Sequence, residues 1–243
     1  GFAPVLDINS NPEKPVIGDR SFGAEENIVS RMGAEAMKGI QDGGIIPVVK
    51  HFPGHGDTSV DSHKSLPRVE SDLRRLRSFE LLPFIKAVNE GADAVMTAHI
   101  LLHEIDPENP ATLSKDIITG ILREEMQFEG VVITDDMTMG AIVNNYDIGE
   151  ASVKSINAGS DIILVAHGYD NAEAVINALK EAAENGKITM DRINDSVYRI
   201  LKLKSKYRLD NSTKDTVDID KINKEIHAVL SGYFDTIESG VIK

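Results

Sequence analysis

Between Lys50 and Pro67 the sequence KHFPGHGDTSVDSHKSLP gathers Lys50, His51, His55, Asp57, Asp61 and His63 into one short stretch. Imidazole titrates close to neutrality, so a histidine can both give and take a proton. A carboxylate two positions before it can fix its tautomer and raise its basicity, and Asp61 stands in that relation to His63. The three histidines, with Asp57 or Asp61, are also metal-ligand types. However, Pro53-Gly54 between His51 and His55 argues against a helix that would put both on one face. Any single histidine here could simply cap backbone groups, whereas three of them within 13 positions, with Pro53, Gly54 and Gly56 bracketing His55, imply a loop with a set path.

The second concentration is VVITDDMTM, Val131 to Met139, where an apolar run ends in two successive carboxylates. Adjacent strand residues point to opposite sides, so only one of Asp135 and Asp136 can face a given pocket. Asp136 suits a cap on the following helix. Asp135, set against the cations Arg20 and Lys50 and against His51, suits nucleophilic attack on a sugar carbon to give a glycosyl ester.

Such groups must be carried by something rigid. Phe2 to Ile8, Ile45 to Lys50, Ala94 to His99, Val131 to Thr134 and Asp161 to Val165 are short, apolar on both sides and rich in β-branched residues. These are the marks of parallel strands covered on both faces. Helical patterns alternate with them: Glu25 to Gln41, Asp72 to Glu90, Lys115 to Met126, Gly149 to Ala158, Asn171 to Asn185 and Asp191 to Tyr207. Gly43, Gly91, Gly159 and Gly186 fall where helices would end. Repeated βα units give an open doubly wound sheet or a closed (β/α)8 barrel. No glycine-rich phosphate loop supports the open sheet. Asp7, Lys50 with His51, His99, and Asp135 with Asp136 instead crowd the C-terminal strand ends, the rim where barrels hold their active sites.

The fold class expected is therefore an α/β barrel of the (β/α)8 type, with about five βα units in residues 1–208. The remaining strands are expected upstream of Gly1, on the same polypeptide or on a second chain. Residues 209–243 read as a linker and helical tail, with a helix over Asp218 to Leu230.

Composition narrows the partners. Lys plus Arg number 26 against 39 Asp plus Glu, a net charge of −13, which disfavours nucleic acid and anionic membrane surfaces. The chain has no cysteine, so no disulfide, thiolate metal site or cysteine nucleophile is possible. No apolar stretch reaches the roughly 18 residues that would cross a bilayer.

Taken together, KHFPGHGDTSVDSHKSLP, GFAPVLDINSNPEKPVIGDRSFG, MTAHI and VVITDDMTMGAI resemble the glycoside hydrolase family 3 β-N-acetylglucosaminidases of bacteria. The resemblance runs from Gly1 to about Arg208 and covers the later part of that family's barrel. It implies a retaining exo-hydrolase for β-linked GlcNAc, with Asp135 as nucleophile, His63 as acid/base and Asp61 as its orienting partner. Arg20, Lys50 and His51 would bind sugar hydroxyls and His99 would line the pocket. No metal or organic cofactor is implied. The family's early strands, with a sugar-gripping D-Q-E-G-G segment, have no counterpart here. The natural aglycone and the choice between water and phosphate as acceptor stay open, and localisation, cytoplasm or cell envelope, is expected to depend on sequence upstream. Two rivals remain: a metal-dependent barrel hydrolase on His51, His55 and His63, and a barrel fragment that at most binds a sugar or a partner chain.

Overall fold

A computed structural model describes residues 2–11, 16–58, 61–209 and 218–238. The chain divides into two compact units, Gly1–Arg208 and Leu209–Lys243. In chain order the first unit holds α1 (Glu26–Asp42), β1 (Val48–Phe52), β2 (Arg68–Val69), α2 (Leu73–Ser78), α3 (Leu82–Asn89), β3 (Ala94–Thr97), β4 (Leu101–Leu102) and a π-type helix (Asp116–Glu125). It continues with β5 (Val131–Asp136), α4 (Gly140–Val143), α5 (Ile148–Ala158), β6 (Ile162–Leu164), α6 (Tyr169–Glu184) and α7 (Met190–Lys206). The second unit contains α8 (Ile219–Glu238), longer than the expected tail helix, whose Ile219, Ile222, Ile226 and Val229 are exposed.

The main sheet is parallel, in the order β1-β3-β5-β6, with Val48 opposite Ala94, Ala94 opposite Val131 and Ile133 opposite Ile162. The stretch expected as the first strand runs beside β1 but makes only one bridge, Val5 to Lys50. Leu6 donates its N–H to the Lys50 carbonyl at 2.6 Å, and Val48 donates to Ala3 at 2.8 Å. Five parallel runs thus lie side by side in chain order, as successive βα units of a barrel wall do.

Side-chain alternation explains the wall. One face carries Val48, Ala94, Met96, Val131 and Ile133, against which Ile200 and Leu203 of α7 pack. The other carries Val49, Phe52, Val95 and Val132, packed with Phe84 of α3 and Ile117 and Leu122 of the π-type helix. Both faces are covered, so the strands read as continuous apolar runs instead of alternating ones.

Local chemistry departs from the expected elements in three places. The run Asp72 to Glu90 is two helices, because Phe79 leaves the helical region (φ −145°, ψ −75°) and Pro83 lies in the first turn of α3, where its missing N–H costs nothing. The left-handed residue after α1 is Gly44 (φ +71°), whereas Gly43 keeps φ −72°. The short parallel pair β2–β4 was not foreseen: two residues per strand are too few for a period to register.

One buried charge ties the wall together. Asp161 accepts from Arg123 (2.6 Å), Arg192 (3.1 Å), Arg199 (3.2 Å), the Ser196 hydroxyl (2.7 Å) and the Val132 N–H (2.9 Å). Burial lowers the Arg123 guanidinium to about 10, although Asp161 acts the other way. Asp161→Ala would leave three guanidinium groups facing one another without their anion. A loss of about 3–5 kcal/mol is expected, read as a lower denaturant midpoint in urea.

Candidate active site

The C-terminal ends of the strands hold the titratable groups, and Asp7 organises the first of them. Its carboxylate is fully buried, and it accepts from the backbone N–H of His51 (3.2 Å to each oxygen) and of His55 (2.7 Å) and from Nδ1 of His51 (2.6 Å). Burial alone would raise its pKa, but the charge and hydrogen bond of His51, with the backbone N–H of His55, outweigh it and hold the group below the ordinary carboxylate range. A proton on Nδ1 of His51 leaves Nε2 without a hydrogen-bond partner among the described residues. Asp7 therefore fixes the His51 ring and leaves its Nε2 turned away from the carboxylate.

Lys50 and Asp135 share a face. Each follows by the strand period of two from the apolar series Val48 and Val131, Ile133. Both are half-buried. Burial lowers the Lys50 pKa, the negative charge of Asp135 opposes that shift, and Arg20 reinforces it. Arg20 itself is exposed, with its guanidinium on the carbonyls of Ile17 and Val16 at 3.3 Å.

The two carboxylates at the end of β5 have separate tasks. Asp136 is buried and accepts from the Thr138 N–H (3.0 Å), the Thr138 hydroxyl (2.6 Å) and the Ala166 N–H (2.9 Å). Burial would raise its pKa, yet these donors and His167 keep it low. Asp136 thus caps the turn and ties it to the end of β6. Asp135 accepts only the N–H of Asp136, at 2.8 Å, among the described residues. Its second oxygen is free to meet a ligand.

His99 departs from its expected place in the pocket lining. It is fully buried, with Nε2 on the Asp136 carbonyl (3.0 Å) and Nδ1 on the Thr112 hydroxyl (2.8 Å). Burial lowers its pKa against the opposing charge of Asp135. It supports the end of β5 from inside the wall.

The loop after β1 brings His63 to the same end. The carbonyls of Ser62, His63 and Lys64 accept from Ala141 N–H (3.0 Å), Gly140 N–H (3.1 Å) and the Asn144 amide (3.1 Å), which seats the loop on the start of α4, directly after β5. A Cβ on Gly140 would lie 2.7 Å from the Lys64 carbonyl oxygen, so only glycine allows this approach. The His63 side chain is exposed. Asp61 differs from expectation: its carboxylate accepts the backbone N–H of His63 at 2.9 Å, closing a turn, and not the ring. Among the described residues no three His, Asp or Glu side chains are arranged to hold a metal ion. A groove of about 480 Å³ lined by Asp93, Phe128, Gly130 and Lys206 lies at the opposite ends of β3 and β5, away from these groups.

Carboxylates, imidazoles and a lysine thus stand at the C-terminal rim of a parallel wall, the end at which barrels hold their active sites. The model of the glycosyl hydrolase family 3 N-terminal domain matches residues 1–203, and the chain belongs to that family. Its fold is accordingly of the (β/α)8 barrel type, present here in part. The chain is 36% identical over 223 residues to β-hexosaminidase A of Pseudoalteromonas piscicida, covering 84% of this chain and 37% of that protein. It is also 36% identical over 183 residues to a β-hexosaminidase of Idiomarina loihiensis, covering 75% of this chain and 54% of that one. A solved family 3 β-N-acetylglucosaminidase from Paenibacillus sp. str. FPU-7 superposes with a TM-score of 0.87 at 48% identity, over 90% of this chain and 42% of that one. The chain therefore spans between a third and about half of the length of these relatives.

Sequence reasoning placed Asp7 at the rim but gave it no task. Its partners lie 44 and 48 positions away, and only the pairing of the first run with β1 brings them together. The one available signal was a carboxylate ending an apolar run.

Proposed function

We propose that this chain is the later part of the catalytic barrel of a retaining exo-β-N-acetylglucosaminidase acting on terminal β-linked GlcNAc of cell-wall-derived or related glycosides. Residues 1–208 form the barrel portion and 209–243 a linker and helical tail. The remaining wall comes from an N-terminal segment or a second chain. The observation that carries the reading is the division of labour at the end of β5, where Asp136 spends its oxygens on the turn while Asp135 keeps one free on the face of Lys50.

In this reading Arg20, Lys50 and His51 hold the sugar hydroxyls. An Asp135 oxygen attacks the anomeric carbon as the glycosidic bond breaks, and protonated His63 gives its proton to the departing oxygen. Neutral His63 then takes a proton from water, whose oxygen attacks the same carbon and releases Asp135. Asp61 sets the turn that presents His63. The relatives' names, β-hexosaminidase and β-N-acetylglucosaminidase, support the sugar. Every step uses protein side chains and water.

The test is hydrolysis of 4-nitrophenyl β-GlcNAc by the full-length gene product, followed by proton NMR. The β-anomer of GlcNAc is expected first, with the α-anomer appearing only by mutarotation. First release of the α-anomer, or no hydrolysis, would overturn the reading.

A further inference from the structure

His55 takes no part in the chemistry above, yet it is 3% exposed and uses both ring nitrogens. Nδ1 lies 2.6 Å from the Thr58 hydroxyl and Nε2 lies 3.0 Å from the Ser62 hydroxyl. The Thr58 hydroxyl donates to the His55 carbonyl at 2.9 Å, so its oxygen must accept from the ring. The single proton of a neutral imidazole is then on Nδ1, and Nε2 accepts from Ser62. Burial, which lowers the His55 pKa against the charge of Asp7, favours that neutral form.

The position of Ser62 gives this contact its meaning, since Ser62 stands between Asp61 and His63. The His55 backbone N–H is bound to Asp7, the same carboxylate that aims His51, and the His51 and His55 rings meet edge to face with centroids 6.0 Å apart. One short chain of contacts thus runs from the sugar-binding end of β1 through Asp7 and His55 to the loop bearing His63.

We propose that His55 is a positioning residue: through Ser62 it sets the loop that carries His63 relative to the Lys50–His51 strand end, and so sets how well the leaving oxygen is protonated. This rests on His63 being the proton carrier. The main-chain seat of the loop on Gly140 and Ala141 survives loss of the Ser62 hydroxyl, so removing that oxygen loosens placement without unseating the loop.

The experiment compares Ser62→Ala, Ser62→Thr and His55→Gln in the full-length gene product on two substrates. One is 2,4-dinitrophenyl β-GlcNAc, whose leaving group needs no proton, and the other is chitobiose, whose leaving group does. For Ser62→Ala, kcat/KM on chitobiose should fall about tenfold, the worth of one neutral hydrogen bond, while the dinitrophenyl substrate changes less than about twofold. Ser62→Thr, which keeps the hydroxyl, should recover most of the loss, and His55→Gln should show the same split more strongly. Should His55→Gln fail to fold, Ser62→Ala decides alone. Equal slowing of both substrates, or no change in either, overturns the proposal. If His63→Ala splits the two substrates and Ser62→Ala does not, only this proposal fails; a wild-type protein that cleaves neither substrate removes the glycosidase reading and this one with it.

Discussion

Asp135→Asn in the full-length gene product is expected to reduce hydrolysis of an aryl β-GlcNAc by on the order of 10⁴-fold or more, with the denaturant midpoint unchanged. The amide has the shape of the carboxylate and can still accept the Asp136 N–H at Asp135 Oδ1, the only hydrogen bond the side chain makes among the described residues. It cannot form the glycosyl ester, and it removes the negative charge that opposes the lowered pKa of Lys50. The neighbouring substitution is the control. Asp136→Asn keeps only one of the two oxygens that accept from Thr138 and Ala166 and removes the charge those donors share, so its damage should appear first in the midpoint. Near-normal turnover of Asp135→Asn would show that the nucleophile lies elsewhere.

His63→Ala should separate substrates by their leaving groups. With a natural sugar leaving group, protonation is needed for the bond to break, and the rate should fall by on the order of 10² to 10⁴. With an activated aryl glycoside the first step proceeds almost normally, while the second, in which water must lose a proton, stalls. A burst of aryl alcohol equal to the enzyme concentration, followed by slow turnover, is the expected trace. Asp61→Ala should give the same pattern more mildly, because Asp61 acts on His63 through the backbone turn and leaves the imidazole in place. Equal slowing of both substrates without a burst would make His63 a binding residue.

How much of this was legible in the sequence follows from the range of each interaction. The parallel wall was legible because both of its faces are apolar, so β1, β3, β5 and β6 stand out as runs. The separation of Asp135 from Asp136 follows from the period of two. The break at Phe79 was hidden because Leu76, Leu81 and Phe84 are all buried and continue the apolar pattern across it. His99 and Asp7 were visible as residue types, but their tasks depend on atoms brought near only by folding. The imidazole of His99 bonds a carbonyl 37 positions away, and nothing in MTAHI marks that side chain as inward-facing. Asp61 and His63 were paired correctly as neighbours and wrongly as to atoms, since D-S-H fits a bond to the main chain as well as one to the ring.

The seat of the loop that bears His63 is written mostly in main-chain atoms. Carbonyls of Ser62 and His63 meet amides of Ala141 and Gly140, and Lys64 contributes only its carbonyl. The exposed side chain at 64 can therefore drift without disturbing the placement of the loop, whereas Gly140 has no substitute and Ala141 is fully buried. This gives the rim an uneven mutability. A lineage, or a directed-evolution library, could rewrite exposed side chains around His63 to suit a new aglycone while the main-chain register between this loop and the residues after β5 stays fixed. The seating of the loop and the chemistry of its exposed surface are separable here because main-chain atoms carry most of the one and side chains the other.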